Sequence, residues 1–393
     1  MSNAILREAK TLVPYLEDIF HRIHKNPELG GTEYKTQALV LQELEKLGIE
    51  AQPIADTGVL GIIRGTKPGK TVAFRADMDA LPITELTELD YKSEIDGVMH
   101  ACGHDAHVTV LLGAAKMLAA RKDTLCGNVK LFFQPNEEGD GGAERMIAAG
   151  CMENPHVDAV FFGHSTPTRP AGSMTVRAGS VSAASNPFTV VFRGKGTHGA
   201  NPSAGSDAIV AACQAVTALQ TICSRRTSPT DSIVVSVGAF QAGTAGNIIP
   251  ETATIKGIMR TLTPQTRARA KEDFRQIVSC VAAAMGVEAE IDLRDGYSAS
   301  VNDEAMTQLV REAAGKVFGQ ENVFETKYPS LGTEDVGYFM EKAPGCYYSL
   351  GVRNEEKGYT YPLHNPRFAV DPDALPCGAA LYVQIAEDFL QQN

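Results

Sequence analysis

The sequence predicts an α/β fold in which a mostly parallel sheet forms one domain and a ferredoxin-like α+β domain is inserted into it. From residue 71 to residue 164, strands that read as near-continuous apolar runs alternate with helical segments, as in a parallel sheet covered on both faces. From about Ser182 to Tyr297 the order becomes strand, helix, strand, strand, helix, strand, which is the split ferredoxin-like motif. We therefore expect one domain over 1–182 and 298–393, and a second, compact domain over 183–297.

The elements of the larger domain follow from the spacing of its apolar residues. Steps of three and four predict an amphipathic helix over 5–25 and another over 33–47, which ends at Gly48 in the left-handed conformation. Strands are predicted over 71–79, 128–136 and 159–164, with helices over 104–122 and 142–150 between them. A helix over 302–319, a strand over 346–352 and a last helix over 374–390 follow the insertion. Reactive residues are expected just beyond the carboxyl ends of the strands, where such sheets bind ligands.

The inserted domain shows the same two kinds of pattern in a different order. Its predicted strands cover 187–194, 232–241, 251–262 and 287–297. Its predicted helices cover 207–226, after the first strand, and 265–285, before the last strand. Together they are enough for a core of their own.

Length and composition restrict the class of protein. The 393 residues suffice for two or three domains, and 44% hydrophobic with 21% charged residues is an ordinary globular composition. A formal net charge of -11 repels phosphate backbones and anionic lipids, so no nucleic-acid partner is expected. The longest apolar stretch, 108–120, contains Lys116 and is too short to cross a membrane. Because Arg7, Glu8 and Lys10 stand where a signal peptide is apolar, a cytoplasmic protein with reduced cysteines is expected.

The segment MHACGHDAH, residues 99–107, concentrates side chains that bind transition metals. Cys102 and His104 stand two residues apart at the start of a predicted helix, and His100, Asp105 and His107 flank them. Imidazole and thiolate together suit zinc and neighbouring metals. The alternative is a structural segment in which Asp105 caps the helix and Cys102 packs as a small hydrophobic residue.

The segment QPNEEGDGG, residues 134–142, places two adjacent carboxylates after a predicted core strand. In an extended or turning backbone neighbours point in different directions, so one of Glu137 and Glu138 can bind a metal while the other faces a substrate. A hydrolytic metal site requires both roles, because the metal activates a water molecule and a separate base must accept its proton. The plainer alternative is a pair of solvated loop carboxylates.

Two histidines outside these segments are further candidates. His164 ends the predicted strand 159–164, and His364 lies in the proline-flanked loop YPLHNPRF. A lone histidine is more often a core or surface residue than a ligand, and that interpretation applies to His21, His24 and His156. For His164 its place at a strand end favours a functional role.

Taken together, the motifs resemble those of one family over nearly the whole chain. The segments that carry the resemblance occur in the family's order and spacing: HACGHDAH, QPNEEG, the GH at 163–164, KGTHGANPSAGSDA (195–208), AGNIIPE (245–251), GTEDVGYF (332–339) and LHNPRF (363–368). The family is the aminoacylase and carboxypeptidase G superfamily of metal-dependent amidohydrolases. The branch is that of the hippurate hydrolases, bacterial N-acyl-amino-acid amidohydrolases and plant hydrolases of indoleacetyl amino acids. This branch has a cysteine where the wider superfamily has an aspartate that bridges two metals, and this sequence has Cys102.

The resemblance implies a centre of two divalent metal ions, with manganese or zinc favoured and cobalt or nickel also compatible. Its implied ligands are a thiolate, a carboxylate and three imidazoles: Cys102, His104, Glu138, His164 and His364. Glu137 becomes the general base and acid, and Asp79 in RADMD stands behind the ligands. The inserted domain becomes a lid and dimerisation domain, in which His198 stabilises the oxyanion and Asn247 and Arg260 contact the substrate's carbonyl or carboxylate. For Arg260, a solvated strand charge is an equal alternative.

The implied function is hydrolysis of the amide bond of a small N-acyl amino acid, hippurate-like, N-acetylated or similar, to a carboxylic acid and a free amino acid. A dipeptidase or carboxypeptidase and a deacetylase of N-acetyl-diaminopimelate are alternatives that use the same two-metal site. A catalytically silent metal-binding or interaction protein would lack one of the named residues, and none is missing. The resemblance also implies a homodimer in which His198 serves the site of the other subunit.

The sequence departs from this branch at two places outside the implied catalytic set. Ser165, Thr166 and Pro167 follow His164 where relatives have a bulky residue, often tryptophan, and the chain contains no tryptophan. Val336 stands in GTEDV where an aromatic residue is usual. The acyl preference of a relative therefore does not transfer to this chain.

Overall fold

The computed structural model describes residues 3–391 of the chain. Its helices, in chain order, are α1 (Ala4–Thr11), α2 (Val13–Lys25), α3 (Tyr34–Lys46), α4 (His104–Ala119), α5 (Ala143–Ala148), α6 (Ala208–Thr221), α7 (Pro264–Ala284), α8 (Glu304–Phe318), α9 (Gly337–Met340) and α10 (Ala374–Gln391). Its strands are β1 (Glu50–Ile54), β2 (Gly58–Arg64), β3 (Lys67–Asp77), β4 (Cys126–Gln134), β5 (Ala159–Pro170), β6 (Met174–Val176), β7 (Gly179–Ser182), β8 (Ala184–Arg193), β9 (Thr197–His198), β10 (Ile233–Ala242), β11 (Ile248–Ile249), β12 (Thr252–Thr261), β13 (Glu288–Leu293), β14 (Ser300–Asn302), β15 (Val323–Glu325) and β16 (Gly345–Arg353). Within residues 3–391, no helix combines the length and the apolar content needed to cross a lipid bilayer.

The chain divides into two compact units. Unit 1 runs to Gly179, resumes over Val301–Tyr328 and continues from Asp335 onwards. Unit 2 comprises Ser180–Ser300 and the short segment Pro329–Glu334. The sequence predicts the boundaries of the inserted domain at 182/183 and 297/298. It does not predict that residues 329–334 belong with unit 2.

An eight-stranded, mostly parallel sheet forms the centre of unit 1, with strand order β1-β2-β4-β3-β5-β16-β6-β15. β3 pairs in parallel with both β4 and β5, β5 pairs in parallel with β16, and β6 with β15. The β1–β2, β2–β4 and β16–β6 pairs are antiparallel. The predicted fold class is therefore confirmed for this unit.

Alternating side chains along each strand build one apolar layer on each face of this sheet. In β5, Phe161 packs in a layer that includes α1, α2, α4, α8 and α10, whereas Phe162 packs in a layer that includes α5 and α9. Phe339 of α9 stacks against both Phe162 and Phe132 in this second layer. Both faces are thus covered, which is why the central strands read as continuous apolar runs.

The order in which the chain adds strands to the sheet reverses at β3. The chain crosses from β3 through α4 to β4 on one side, and then through α5 to β5 on the other side of β3. The two crossing helices lie on opposite faces, since α4 belongs to the first apolar layer and α5 to the second. A reversal of this kind opens a crevice at the carboxyl ends of the two strands concerned, here β3 and β5.

Unit 2 is a four-stranded antiparallel sheet with two long helices. The strand order is β10-β12-β8-β13, and all three neighbouring pairs are antiparallel. In chain order the elements are β8, α6, β10, β12, α7 and β13, which is the predicted ferredoxin-like arrangement. Residues such as Phe188, Ile255 and Phe274 give this unit a core of its own.

Some local predictions are wrong. The helix expected over 5–25 is two helices, because the chain breaks at Leu12 and Pro14, in the first turn of α2, has no N–H to continue α1. The β1–β2 hairpin is not anticipated, since Pro53 in β1 hides the strand pattern; β1 is the edge strand of the sheet, where a proline is tolerated. The strand expected over 71–79 ends at Asp77, so Asp79 lies beyond it.

Candidate metal centre

The residues that the sequence singles out in unit 1 lie at the carboxyl edge of its sheet. They come from beyond the ends of β3 and β4, from β5, from the start of α4 and from the segment between β16 and α10: Asp79, Glu137 and Glu138, His164, Cys102 and His104, and His364. Most of them are buried, whereas the side chain of His364 is 53% exposed. Solvent therefore reaches this part of unit 1 at His364.

Tight turns of the backbone place several of these side chains. Gly103, with a φ of 87°, lies between Cys102 and His104 and is the residue from which α4 begins. A Cβ atom there would lie 3.0 Å from Ser165 Oγ, and any side chain would strain the backbone. His364 is itself in the left-handed region, with a φ of 63°, and its N–H donates to Ala101 O at 2.8 Å. The loop that carries His364 is thus fixed to the segment that carries Cys102.

A thiol, an imidazole pair and a carboxylate meet at the centre of the cluster. Cys102 Sγ lies 3.5 Å from His164 Nε2. Donor atoms of Cys102, Glu138 and His364 lie within 4.8 Å of one another, and His364 Nε2 is 3.1 Å from Glu138 Oε1. Cys102 Sγ therefore lies close to donor atoms of three other predicted ligands.

His104 and Glu137 complete the cluster. Donor atoms of His104, Glu137 and Glu138 lie within 4.8 Å of one another. The structure thus brings together the five predicted ligands and the predicted general base. Glu138 belongs to both groups of donors, and Glu137 lies next to it with only 7% of its surface exposed.

Hydrogen bonds to backbone carbonyls orient two of the imidazoles. His104 Nδ1 donates to Asp79 O at 2.8 Å, and His164 Nδ1 donates to Ser165 O at 2.9 Å. In each ring the other nitrogen, Nε2, is then the one directed at the cluster. This is the usual way in which proteins set the tautomer and orientation of a metal-binding histidine.

Asp79 stands behind the cluster. Its Oδ2 accepts the backbone N–H of Glu138 at 2.9 Å, and its carbonyl accepts the ring N–H of His104. Both interactions position predicted ligands without placing the carboxylate among them. Asp79 thus contacts two of the predicted ligands, His104 and Glu138.

The donors lie in a strongly polarised environment. Burial alone would raise the pKa of the Cys102 thiol, but His104 and His164 lower it to about 6. Cys102 and Glu138 in turn raise the pKa of His364 to about 10. The negative charges of the Cys102 thiolate and the Glu138 carboxylate therefore favour a positive charge next to them.

The donor set fits a divalent metal ion. His104 Nε2 is buried and makes no hydrogen bond within the described part of the chain, which is costly for a polar atom unless a cation binds it. Sulfur, nitrogen and carboxylate oxygen together suit transition metals and zinc rather than calcium or magnesium. The residues present therefore match the kind of ion that the resemblance implies.

Sequence reasoning does not find the polar network beneath the cluster. Arg75 in β3 donates to Gln134 Oε1 at 2.8 Å, to Asp77 Oδ2 at 2.5 Å and to Asp335 Oδ1 at 3.0 Å. Burial alone would raise the pKa of Asp77, but Arg75, His104 and His107 hold it well below its usual range. The sequence carries a signal for this network, because two charged residues at alternate positions of an apolar strand must share one face.

The predicted residues of the inserted domain lie in unit 2. His198 is exposed in β9, which pairs with β11, and Asn247 immediately precedes that strand. The His198 ring accepts the N–H of Ala200 at Nδ1, at 3.1 Å. Arg260 is half-buried in β12, and its Nη1 has no hydrogen-bond partner among residues 3–391. His198 and Asn247 are thus neighbours, while Arg260 lies in the main sheet of this unit.

Comparison with known proteins gives one consistent family. The model of peptidase family M20/M25/M40 matches residues 73–388. Thermostable carboxypeptidase 2 of Saccharolobus solfataricus is 42% identical over 97% of each chain. IAA-amino acid hydrolase ILR1-like 4 of Arabidopsis thaliana is 39% identical, covering 96% of this chain and 86% of its own, and hippurate hydrolase of Campylobacter jejuni is 38% identical, covering 98% and 100%.

A solved structure shows the same likeness in three dimensions. A Bacillus subtilis protein described as a dinuclear metal binding peptidase from the M20 family is 32% identical, with a TM-score of 0.85 over 98% of this chain and 99% of that one. The resemblance inferred from the sequence motifs is confirmed by these matches. The chain belongs to peptidase family M20/M25/M40.

Proposed function

We propose that the protein is a metal-dependent amidohydrolase that cleaves the amide bond of small N-acyl amino acids to a carboxylic acid and a free amino acid. The observation that carries this function is the cluster at the carboxyl edge of unit 1, in which one acid–base side chain, Glu137, lies beside five potential ligands. The relatives named hippurate hydrolase and IAA-amino acid hydrolase support the same class of reaction.

Two divalent metal ions are held by a thiolate, a carboxylate and three imidazoles in this proposal: Cys102, His104, Glu138, His164 and His364. Cys102 Sγ, which lies close to donor atoms of His164, Glu138 and His364, would hold the ions as a thiolate. When bound, such ions make water a nucleophile at neutral pH and polarise a carbonyl group. Manganese or zinc is the proposed metal, with cobalt or nickel compatible with the same donors.

Glu137 carries the proton. Its carboxylate accepts a proton from the attacking water and passes it to the nitrogen of the departing amino acid. Glu138 cannot take this role because its carboxylate is directed at His364, 3.1 Å away. Burial of Glu137 keeps bulk water from competing for that proton.

Three residues of unit 2 are proposed to act on the substrate. His198 stabilises the oxyanion; because Nδ1 accepts the Ala200 N–H, the ring proton of neutral His198 is on Nε2, which can donate. Asn247 and Arg260 contact the carbonyl or the carboxylate of the substrate. The unpartnered Nη1 of Arg260 supports a role in binding an anion over a solvated strand charge.

Carboxypeptidase activity is the second candidate, and the similarity to thermostable carboxypeptidase 2 favours it specifically. A carboxypeptidase and an N-acyl-amino-acid hydrolase release the same product, an amino acid with a free carboxylate. Their substrates differ only in the group beyond the scissile carbonyl, which is an aminoacyl residue in one and a simple acyl group in the other.

A cytoplasmic homodimer is also proposed. The protomer mass is 42.0 kDa, so a dimer of two such chains has a mass of about 84 kDa. Light scattering of the purified, metal-loaded protein measures this directly, and a mass of one protomer would exclude the dimer.

The function is tested by a substrate panel on metal-free protein to which zinc, manganese, cobalt or nickel is added back. Hippurate, N-acetyl amino acids, indoleacetyl amino acids and short dipeptides are compared for kcat/KM, with Glu137→Gln as the control for contaminating activity. We expect metal-dependent release of the free amino acid from the acyl compounds. Turnover of dipeptides alone would make the protein a peptidase, and no turnover of any amide by the metal-loaded protein would exclude the proposed function.

A further inference from the structure

The backbone ladder between β3 and β5 stops just before the metal centre. The two strands pair in register from Val72 and Ala159 to Arg75 and Phe162. His164, a proposed ligand, lies two residues beyond the last pair. The backbone N–H groups on either side of it, at Gly163 and Ser165, are bound by side chains instead of by β3.

Tyr382 of α10 spans the first part of this gap. Its hydroxyl accepts the N–H of Gly163 at 2.9 Å and donates to Arg75 O at 3.1 Å. Tyr382 is only 2% exposed. One side chain thus links the two strands directly after their last backbone pair.

His107 of α4 spans the second part. Its Nε2 lies 2.8 Å from the backbone N of Ser165, and its Nδ1 lies 2.5 Å from Asp77 Oδ1. A backbone N–H can only donate, so Nε2 is the acceptor and the ring proton is on Nδ1, from which it is donated to Asp77.

This hydrogen bonding distinguishes His107 from the ligands around it. His107 offers a donor atom within 4.8 Å of those of His104 and His164, so distance alone would admit it as a ligand. Both of its ring nitrogens, however, are committed to Asp77 and Ser165. A nitrogen whose lone pair accepts a hydrogen bond has none left for a metal ion.

Ser165 connects His107 to His164. The N–H of Ser165 is held by His107, and its carbonyl accepts the Nδ1 proton of His164 at 2.9 Å. The orientation of the His164 ring therefore depends on where this residue is held. Asp77, itself held by Arg75, fixes the tautomer of His107 that makes the contact.

We propose that His107 is a positioning residue for the metal centre: by holding Ser165 it directs His164 Nε2 at the metal ions. This inference rests on the proposed function, because it requires that His164 bind a metal. His107 itself touches neither metal nor substrate. Residues of this kind typically contribute about 10- to 100-fold to metal affinity.

The test is a titration of metal-free protein with zinc ions in competition with a chromophoric chelator, which gives both the number of sites and their affinities. His107→Gln can place an amide oxygen near the position of Nε2 and keep the bond to Ser165. His107→Asn reaches only Asp77, and His107→Leu makes neither bond. His156→Leu is the matched control, because the side chain of His156 is 64% exposed and lies away from the cluster.

We expect two zinc sites in every variant, with one of them weakened by about 10- to 100-fold in His107→Leu and His107→Asn. His107→Gln should retain most of the affinity, and His156→Leu all of it. The comparison of Asn with Gln remains decisive if His107→Leu does not fold, since both keep a polar group of similar size.

Each contrary result has a separate meaning. Wild-type zinc affinity in His107→Asn, and in His107→Leu where that variant folds, would overturn the positioning role alone. Loss of a whole site from all three His107 variants, even at saturating zinc, would make His107 a ligand and also overturn it. Failure of the wild-type protein to bind two zinc ions would instead overturn the proposed function.

Discussion

Glu137 and Glu138 are adjacent and chemically alike, yet the structure gives them different surroundings. The carboxylate of Glu138 lies 3.1 Å from His364 Nε2, and its backbone N–H donates to Asp79 Oδ2 at 2.9 Å. Glu137 is buried and lies next to the donor atoms of His104 and Glu138. Glu137→Gln keeps size and hydrogen bonding but cannot accept a proton, so kcat should fall by about a hundredfold or more. Metal content, measured by elemental analysis, should stay near wild type. Full activity in this variant would remove Glu137 from the mechanism.

Cys102 provides a second prediction at the residue scale. A thiol whose pKa lies near 6 is largely thiolate at neutral pH, which suits it to bind metal and also to react with electrophiles. Cys102→Ala should therefore lose metal and activity together. In a background where the exposed Cys213 and Cys280 are replaced by alanine, iodoacetamide should modify Cys102 faster in metal-free than in metal-loaded protein. A metal-replete, active Cys102→Ala protein would show that the thiol is only packed.

A buried ionic contact joins two elements, α2 and the first turn of α4. His24 Nδ1 lies 2.5 Å from Asp105 Oδ2, and His24 Nε2 lies 3.3 Å from Glu85 Oε1. Burial alone would lower the pKa of His24, but the two carboxylates raise it to about 9. A raised native pKa contributes stability that is complete below the unfolded value, near 6.5, and is lost as the pH rises through 9.

The free energy of unfolding is therefore expected to fall by about 1 to 3 kcal/mol between pH 6.5 and pH 9 because of His24. Urea unfolding of wild type and His24→Gln at both pH values measures this contribution. For each protein, the free energy of unfolding at pH 9 is subtracted from that at pH 6.5, and the two differences are compared. His156→Gln, at an exposed position, serves as the control and should follow wild type. An equal pH dependence in wild type and His24→Gln would show that His24 does not gain a proton on folding.

The elements that the sequence predicts well are those whose burial is uniform. β4, β5 and α4 are covered on nearly all sides, so their apolar runs are unambiguous, and the donors at their ends follow from the rule that parallel strands share a carboxyl edge. The contacts of His24 and His107 could not be predicted in this way. Their partners Asp105 and Asp77 are ordinary residues in sequence. Only the packing of α4 against α2 and against β3 brings each pair within hydrogen-bonding distance.

On the scale of the whole molecule, the proposed ligands are confined to one unit. All five belong to unit 1, and the core of unit 2, built around residues such as Phe188 and Phe274, contains none of them. A ligand that binds only the folded state stabilises it by about 2.7 kcal/mol at a hundred times its dissociation constant. Metal should therefore protect unit 1 against unfolding far more than unit 2.

Hydrogen exchange of the full chain, with zinc and with a chelator, measures the two units separately. Chelation should speed exchange in the core elements of unit 1, α4 and β5, by an amount that corresponds to the lost binding energy. Exchange in α6 and α7 of unit 2 should change little, which makes these helices an internal control. An equal change in both units would mean that they unfold together, and no change in α4 or β5 would mean that the ligands in unit 1 do not couple metal binding to folding.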